Sequence, residues 1–248
     1  MKIKRFLLIC FAITAIFAGY EAAIYGQGKV EWVEIQDPKS GRIIRALFCH
    51  PKPGTKLPAV IYNHGKIIER SGYQGGLQKG YDVAEFVRAL ADSQYVAIAP
   101  LRPENTDFFF APINRAVISY LKQRPDVDFD QIGIVGFSKG GYMTLEAASK
   151  MPVFKAIVAM SPARPQAPLG KDDLAKIQAP ILVTLGQKEL NDEIGQSTLH
   201  NVVNVLRMLG KNVEFKTGYN GVHQWFYRVR PEYWPDIIAF LDKYLKTK

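Results

Sequence analysis

The pentapeptide Gly136-Phe137-Ser138-Lys139-Gly140 sits between two unlike neighbourhoods, and that setting constrains the fold more than any other stretch of the chain. Before it, Gln131-Ile132-Gly133-Ile134-Val135 is short, apolar and β-prone. After it, Gly141-Tyr142-Met143-Thr144-Leu145-Glu146-Ala147-Ala148-Ser149-Lys150 reads as a helix. A backbone that passes from strand to helix through a single serine turns very sharply. Side chains two residues to either side of the serine would collide with the strand and the helix, which accounts for glycine at both places. The spacing therefore predicts a nucleophile elbow. The Ser138 hydroxyl is held proud of a sheet, and a helix N-terminus points at negative charge developing beside it.

The remaining pattern supplies the sheet. Val30-Glu31-Trp32-Val33-Glu34-Ile35 alternates, as does part of Arg42-Ile43-Ile44-Arg45-Ala46-Leu47-Phe48, and Asp37-Pro38-Lys39-Ser40-Gly41 separates them as a turn. That is an antiparallel hairpin at the start of the sheet. From there, strands and helices alternate. Strands are expected over residues 59–62, 95–100, 132–135, 154–160, 180–185 and 213–216, and helices over 81–93, 112–123, 197–209 and 231–244. Continuous apolar strands interleaved with amphipathic helices imply an α/β fold with a mostly parallel central sheet and helices on both faces. The link between the strands at 154–160 and 180–185 is too short for a large cap domain.

At 248 residues the chain has the length of one such domain, and 48% apolar with 22% charged residues is ordinary for a globular protein. The net charge of +9 is dispersed rather than gathered into a basic block interleaved with aromatics, which argues against nucleic-acid binding. Met1-Lys2-Ile3-Lys4-Arg5 is a positive leader, residues 6–18 are apolar, and the small residues Ala18, Gly19, Ala22 and Ala23 follow. This reads as an export signal over 1–23, with residues 24–248 forming the single domain. The expected location is periplasmic or secreted. The alternative is a membrane anchor formed by residues 6–18, which would be the only membrane association. With Cys10 in the signal, Cys49 is a lone thiol with no internal disulfide, read as a half-buried strand residue. The sequence does not specify the oligomeric state.

A serine hydroxyl is a weak nucleophile at neutral pH and needs a base, which in turn needs an orienting acid. In folds built on this elbow, the chain order is serine, acid, histidine, each at the C-terminal end of a strand. Of the four histidines, His50, His64, His200 and His223, only His223 lies in a loop after the last strand, within Gly221-Val222-His223-Gln224-Trp225-Phe226. It is the candidate base, with Trp225 and Phe226 expected to pack beneath it. His200 falls on a helix, and His64 is expected to orient its own loop. The acid belongs after the strand ending at Leu185-Gly186, where Glu189, Asp192 and Glu193 are available. Glu189 is nearest the strand and is preferred, with Asp192 as the alternative. Two backbone N–H groups are needed for the oxyanion, and they are assigned to Lys139, after the nucleophile, and Lys66, after Asn63-His64-Gly65. Arg102, just past a strand, is read as a structural ion-pair partner in preference to a contact for a substrate carboxylate. Phe108-Phe109-Phe110 is read as core at a helix entry, with the alternative that it lines an apolar pocket beside the elbow and favours acyl or aromatic groups.

These motifs resemble the α/β-hydrolase superfamily, and within it the dienelactone hydrolase-like and prolyl oligopeptidase-like domains. The likeness runs from Trp32 to the C-terminus and rests on Asn63-His64-Gly65, the elbow with Gly141, Gly186-Gln187-Lys188-Glu189 and the segment around His223. Dienelactone hydrolases proper carry cysteine where this chain has Ser138, and the family's G-x-x-D acid position holds Glu189 here. The resemblance implies a serine hydrolase without cofactor or metal, acting on a small-molecule ester or acyl substrate through an acyl-enzyme. An exopeptidase is the alternative, although no gating domain accompanies it. A non-catalytic binding protein on the same fold is disfavoured, because serine, acid and histidine all occur in order.

Overall fold

The computed structural model describes residues 28–103, 110–163 and 169–246. Within them, eight strands form one sheet: β1 (Glu31–Gln36), β2 (Ile43–Cys49), β3 (Leu57–Asn63), β4 (Val96–Pro100), β5 (Val127–Phe137), β6 (Phe154–Met160), β7 (Ile181–Gly186) and β8 (Val213–Tyr219). Their order is β1-β2-β4-β3-β5-β6-β7-β8. β1 pairs antiparallel with β2, and β2 antiparallel with β4, while every other pairing is parallel. This is the expected hairpin-plus-parallel-sheet architecture. The export segment at 1–23 and the Phe108-Phe109 pair lie outside the described residues.

The helices are α1 (Lys66–Gln78), α2 (Val83–Asp92), α3 (Phe110–Lys122), α4 (Lys139–Lys150), α5 (Lys171–Lys176), α6 (Glu193–Thr198), α7 (Asn204–Met208) and α8 (Trp234–Leu245). A π-helical turn over Leu199–Val203 joins α6 to α7. Alternation along the buried strands assigns each side chain to one of two cores. From β3, Val60 and Tyr62 pack with Phe86, Val87 and Leu90 of α2 and Ile237 and Leu241 of α8. Ala59 and Ile61 face the other way, onto Ile113 and Val117 of α3, Leu145 of α4 and Leu206 of α7. α2 starts cleanly because the Asp82 carboxylate accepts from the Ala84 amide at 2.9 Å, a cap worth about 1 kcal/mol.

Two helices escape the sequence pattern. α1 carries Gly72, Gly75 and Gly76, and it kinks at Gly72, whose φ is +68°. Three glycines depress helix propensity enough to hide the element. α5 is six residues long and is the sole helix described between β6 and β7, so no large cap is present among the described residues.

The topology places the chemistry. After β3 the chain crosses to β4 on one side, and after α3 it returns to β5 on the other side of β3. That reversal opens a crevice at the carboxyl ends of the parallel strands, where open α/β sheets receive ligands. His64, Ser138, Ser161 and Glu189 follow the ends of β3, β5, β6 and β7, and His223 lies just beyond β8.

Candidate active site

Ser138 links β5 to α4 with φ +56° and ψ −122°, a conformation that side-chain-bearing residues rarely adopt. Its amide donates to the Met160 carbonyl at 2.9 Å, which ties the turn to the end of β6. The flanking glycines are obligatory. A Cβ on Gly140 would stand 1.9 Å from the Asn63 carbonyl oxygen, and one on Gly136 2.2 Å from that of Gly140. The elbow is thus packed against the end of β3 as well as against its own helix.

The His223 ring brings the downstream candidates together. Its Nε2 lies 2.8 Å from Ser138 Oγ and its Nδ1 2.8 Å from Glu189 Oε1. Glu189 is fully buried, whereas the His223 side chain is 16% exposed. The other carboxylate oxygen, Glu189 Oε2, accepts from the Gly186 amide at 2.8 Å, fixing the acid to the end of its strand. Asp192 is used elsewhere. It caps α6, accepting from the Gly195 amide at 2.9 Å. The ring packed against His223 is Phe137 of the elbow, at 4.8 Å between centroids, rather than Trp225 or Phe226. Trp225 stacks instead on Tyr219, and Phe226 fills the core with Tyr233. The 3₁₀ turn over His223–Tyr227 explains this, because it sends successive side chains in different directions.

A fourth residue enters this cluster without a sequence motif to announce it. Ser161, the first residue after β6, is fully buried with φ +43°. Its hydroxyl donates to Glu189 Oε1 and lies 2.7 Å from His223 Nδ1.

A second polar cluster holds the opposite wall. Lys66 and Lys139 are the first residues of α1 and α4, and amides at such positions have no acceptor within their own helix. Glu69 of α1 joins the two segments: it binds Lys139 Nζ at 2.6 Å and Arg102 Nε at 2.5 Å, all three side chains being buried. Arg102 also donates through Nη2 to the His64 carbonyl. Arg102 is therefore a structural ion-pair partner, as its position after a strand suggested. The Arg102 amide donates to His64 Nε2 at 3.0 Å, so the proton of that ring is on Nδ1, which donates to the Gly65 carbonyl at 2.9 Å. Burial, with the Arg102 charge nearby, holds His64 well below the ordinary histidine range, so it stays neutral. The Gly65 amide donates to the Tyr81 hydroxyl at 3.1 Å, which in turn bonds Tyr62.

Between the two clusters lies a cleft of about 160 Å³ lined by Gly65, Lys66, Arg70, Phe137, Ser138, His223 and Tyr227. A serine hydroxyl, a histidine ring and two helix N-termini thus face one space, an arrangement suited to acyl transfer. Cys49 is fully buried rather than half-buried, and its thiol donates to the Gly28 carbonyl at 3.0 Å. Burial pushes the thiol up to about 11, which leaves it unreactive at neutral pH. His50 binds Asp126 and His200 is exposed on its helix turn, both away from the cleft. Among the described residues, no group of three or more His, Cys, Asp or Glu side chains is arranged to hold a metal ion, and no helix is long and apolar enough to cross a membrane.

Comparison with known proteins points the same way. The sequence model of the Dienelactone hydrolase family matches residues 104–241, more than half of the chain. Acyl-coenzyme A thioesterase 1 of Mus musculus is 30% identical over 123 residues, which is 50% of this chain but 28% of the thioesterase. Among solved structures, the dienelactone hydrolase-like promiscuous phosphotriesterase P91 from metagenomic libraries superposes with a TM-score of 0.68 at 18% identity, covering 88% of this chain and 99% of that one. An acylaminoacyl peptidase in complex with a chloromethyl ketone gives 0.68 at 19% identity, covering 90% of this chain and 42% of the peptidase. These structures share the fold described above.

Proposed function

The chain belongs to the dienelactone hydrolase family, and from that premise we propose that it is a serine hydrolase that cleaves carboxylic esters through an acyl-enzyme. The observation that carries this reading is the unbroken run of hydrogen bonds from Ser138 through His223 to Glu189. In it, Ser138 Oγ attacks the carbonyl carbon while His223 Nε2 takes the hydroxyl proton. Glu189 holds the resulting imidazolium, and the Lys66 and Lys139 amides face the oxyanion. Collapse expels the alcohol, which receives the proton from His223. A water then enters, gives a proton to the same nitrogen and attacks the acyl carbon; collapse breaks the bond to Ser138 Oγ, which takes the proton back from His223 as the acid leaves.

One named relative bears on the scissile bond. The thioesterase likeness favours thioesters as a second reading, with the same acyl-enzyme and a thiol leaving group. The peptidase likeness concerns fold alone. Under this proposal the positive leader and the apolar stretch over 6–18 export the protein.

The test is pre-steady-state turnover of matched p-nitrophenyl ester, thioester and aminoacyl anilide substrates. Esters, or esters and thioesters together, should release a burst equal to one product per protein molecule, with the anilide slower. Absence of a burst with every acyl donor contradicts the reading.

A further inference from the structure

Ser161 has no part in the relay just described, yet its hydroxyl touches both the acid and the base. The contacts are directional. A neutral His223 that accepts from Ser138 through Nε2 carries its proton on Nδ1. That proton has two acceptors, Glu189 Oε1 at 2.8 Å and Ser161 Oγ at 2.7 Å. The Ser161 hydroxyl proton points on to Glu189 Oε1. Ser161 therefore accepts from the ring and donates to the carboxylate at the same time, closing a triangle.

Its backbone is fixed for that purpose. Ser161 is fully buried, its amide donates to the Thr184 carbonyl of β7 at 2.7 Å, and its φ of +43° is strained for a serine. Nothing in the local sequence asks for a left-handed residue other than glycine at this place. The strain is maintained where the hydroxyl reaches both partners.

We infer that Ser161 is a positioning residue that locks the Glu189 carboxylate and the His223 ring into one arrangement. This rests on the serine-hydrolase reading above. Glu189 carries one methylene more than the aspartate common at its position, and so has an additional side-chain torsion to fix. Its Oε2 is held by the Gly186 amide and its Oε1 by Ser161 and His223 together. Without Ser161, the buried carboxylate loses one of its three donors and the ring loses one of its two acceptors. The carboxylate is less firmly oriented, and the ring gains freedom to turn away from Ser138.

The experiment compares wild type with Ser161→Ala and Ser161→Gly on a p-nitrophenyl ester, measuring kcat and KM separately across pH. Alanine removes the hydroxyl and leaves the backbone demand in place. Glycine removes it and relieves the positive φ. Both should lower kcat about 10- to 100-fold, less than loss of the acid itself, with KM within about twofold. In both, the pH profile of kcat/KM should differ from that of wild type. Wild-type kcat and an unmoved profile in either variant overturn the assignment while leaving the serine-hydrolase reading intact. No turnover by the wild type on any acyl donor overturns both. If the alanine variant does not fold, the glycine variant decides between these outcomes by itself.

Discussion

Two buried clusters flank Ser138, and each contains a histidine and a glutamate. In one, His64 has both ring nitrogens committed to backbone groups, the Gly65 carbonyl and the Arg102 amide. In the other, His223 is bound on one side by Glu189 and Ser161 and on the other by the Ser138 hydroxyl. The residue types are alike and the consequences differ. A ring locked between two backbone groups has no proton to exchange, so it stiffens the loop that carries Gly65 and Lys66. A ring whose second nitrogen faces a hydroxyl can move a proton. The charges follow the same division. Glu69 lies between Lys139 and Arg102, two buried cations that hold two helix starts together. In the proposed mechanism, Glu189 meets a ring that changes charge. One glutamate belongs to the scaffold, and the other responds to the reaction.

Substitutions that interchange these roles would break the comparison, and the largest effect belongs to the reactive side. Glu189→Gln should cut kcat by about 10³- to 10⁴-fold, because the amide offers its own donor to Nδ1 and favours the wrong tautomer. Circular dichroism should stay native, which separates this loss from unfolding. On the scaffold side, Glu69→Gln leaves Arg102 and Lys139 without their shared carboxylate. Chemical denaturation should reveal a loss of about 3 kcal/mol, because both cations are buried. Turnover by the surviving folded fraction should fall about 10- to 100-fold as the two amides drift from the cleft. A stability loss from Glu189→Gln as large as that from Glu69→Gln would erase the distinction.

A smaller effect separates the two histidines by pH. His64 is held well below the ordinary value of 6.5, so below that pH the unfolded chain binds a proton that the folded chain refuses. Its contribution to stability is full above pH 6.5 and is lost as pH falls. Stability should therefore decline progressively as pH falls below 6.5. Thermal or urea unfolding of wild type and His64→Gln at several pH values between 5 and 7 checks this. The variant should show a flatter dependence, and parallel slopes would place His64 in a protonatable setting. Smallest of all, Asp192→Ala should cost about 1 kcal/mol through loss of the α6 cap and leave kcat within about twofold. A larger drop in kcat would return Asp192 to the reacting cluster.

What the sequence made legible was what local physics encodes. The elbow could be read because strand, serine and helix are contiguous, and because the glycines answer steric demands within a few residues. The strands could be read because a parallel sheet covered on both faces leaves unbroken apolar runs. The choice between Glu189 and Asp192 was not local. Both follow β7, and what distinguishes them is a short 3₁₀ turn over Gln187–Glu189 that buries one side chain, while the other begins a helix. Ser161 was out of reach for a similar reason. Its contacts cross 28 residues to Glu189 and 62 to His223, and they follow from the adjacency of β6, β7 and β8. Glu69 was hidden inside α1, whose glycines obscured the helix. His64 is the instructive middle case. Its sequence position beside Gly65 suggested an orienting role, and the structure supplies the two backbone partners.

We propose that Ser138 is the nucleophile and that His223, rather than His64, activates it. The most direct measurement is fluorophosphonate labelling followed by peptide mapping in wild type, Ser138→Ala, His223→Gln and His64→Gln. A single adduct is expected on the peptide carrying Ser138, absent in Ser138→Ala and slowed by at least about 10²-fold in His223→Gln. Labelling should persist in folded His64→Gln protein. Undiminished labelling of Ser138→Ala, or labelling that depends on His64 and not on His223, would contradict it.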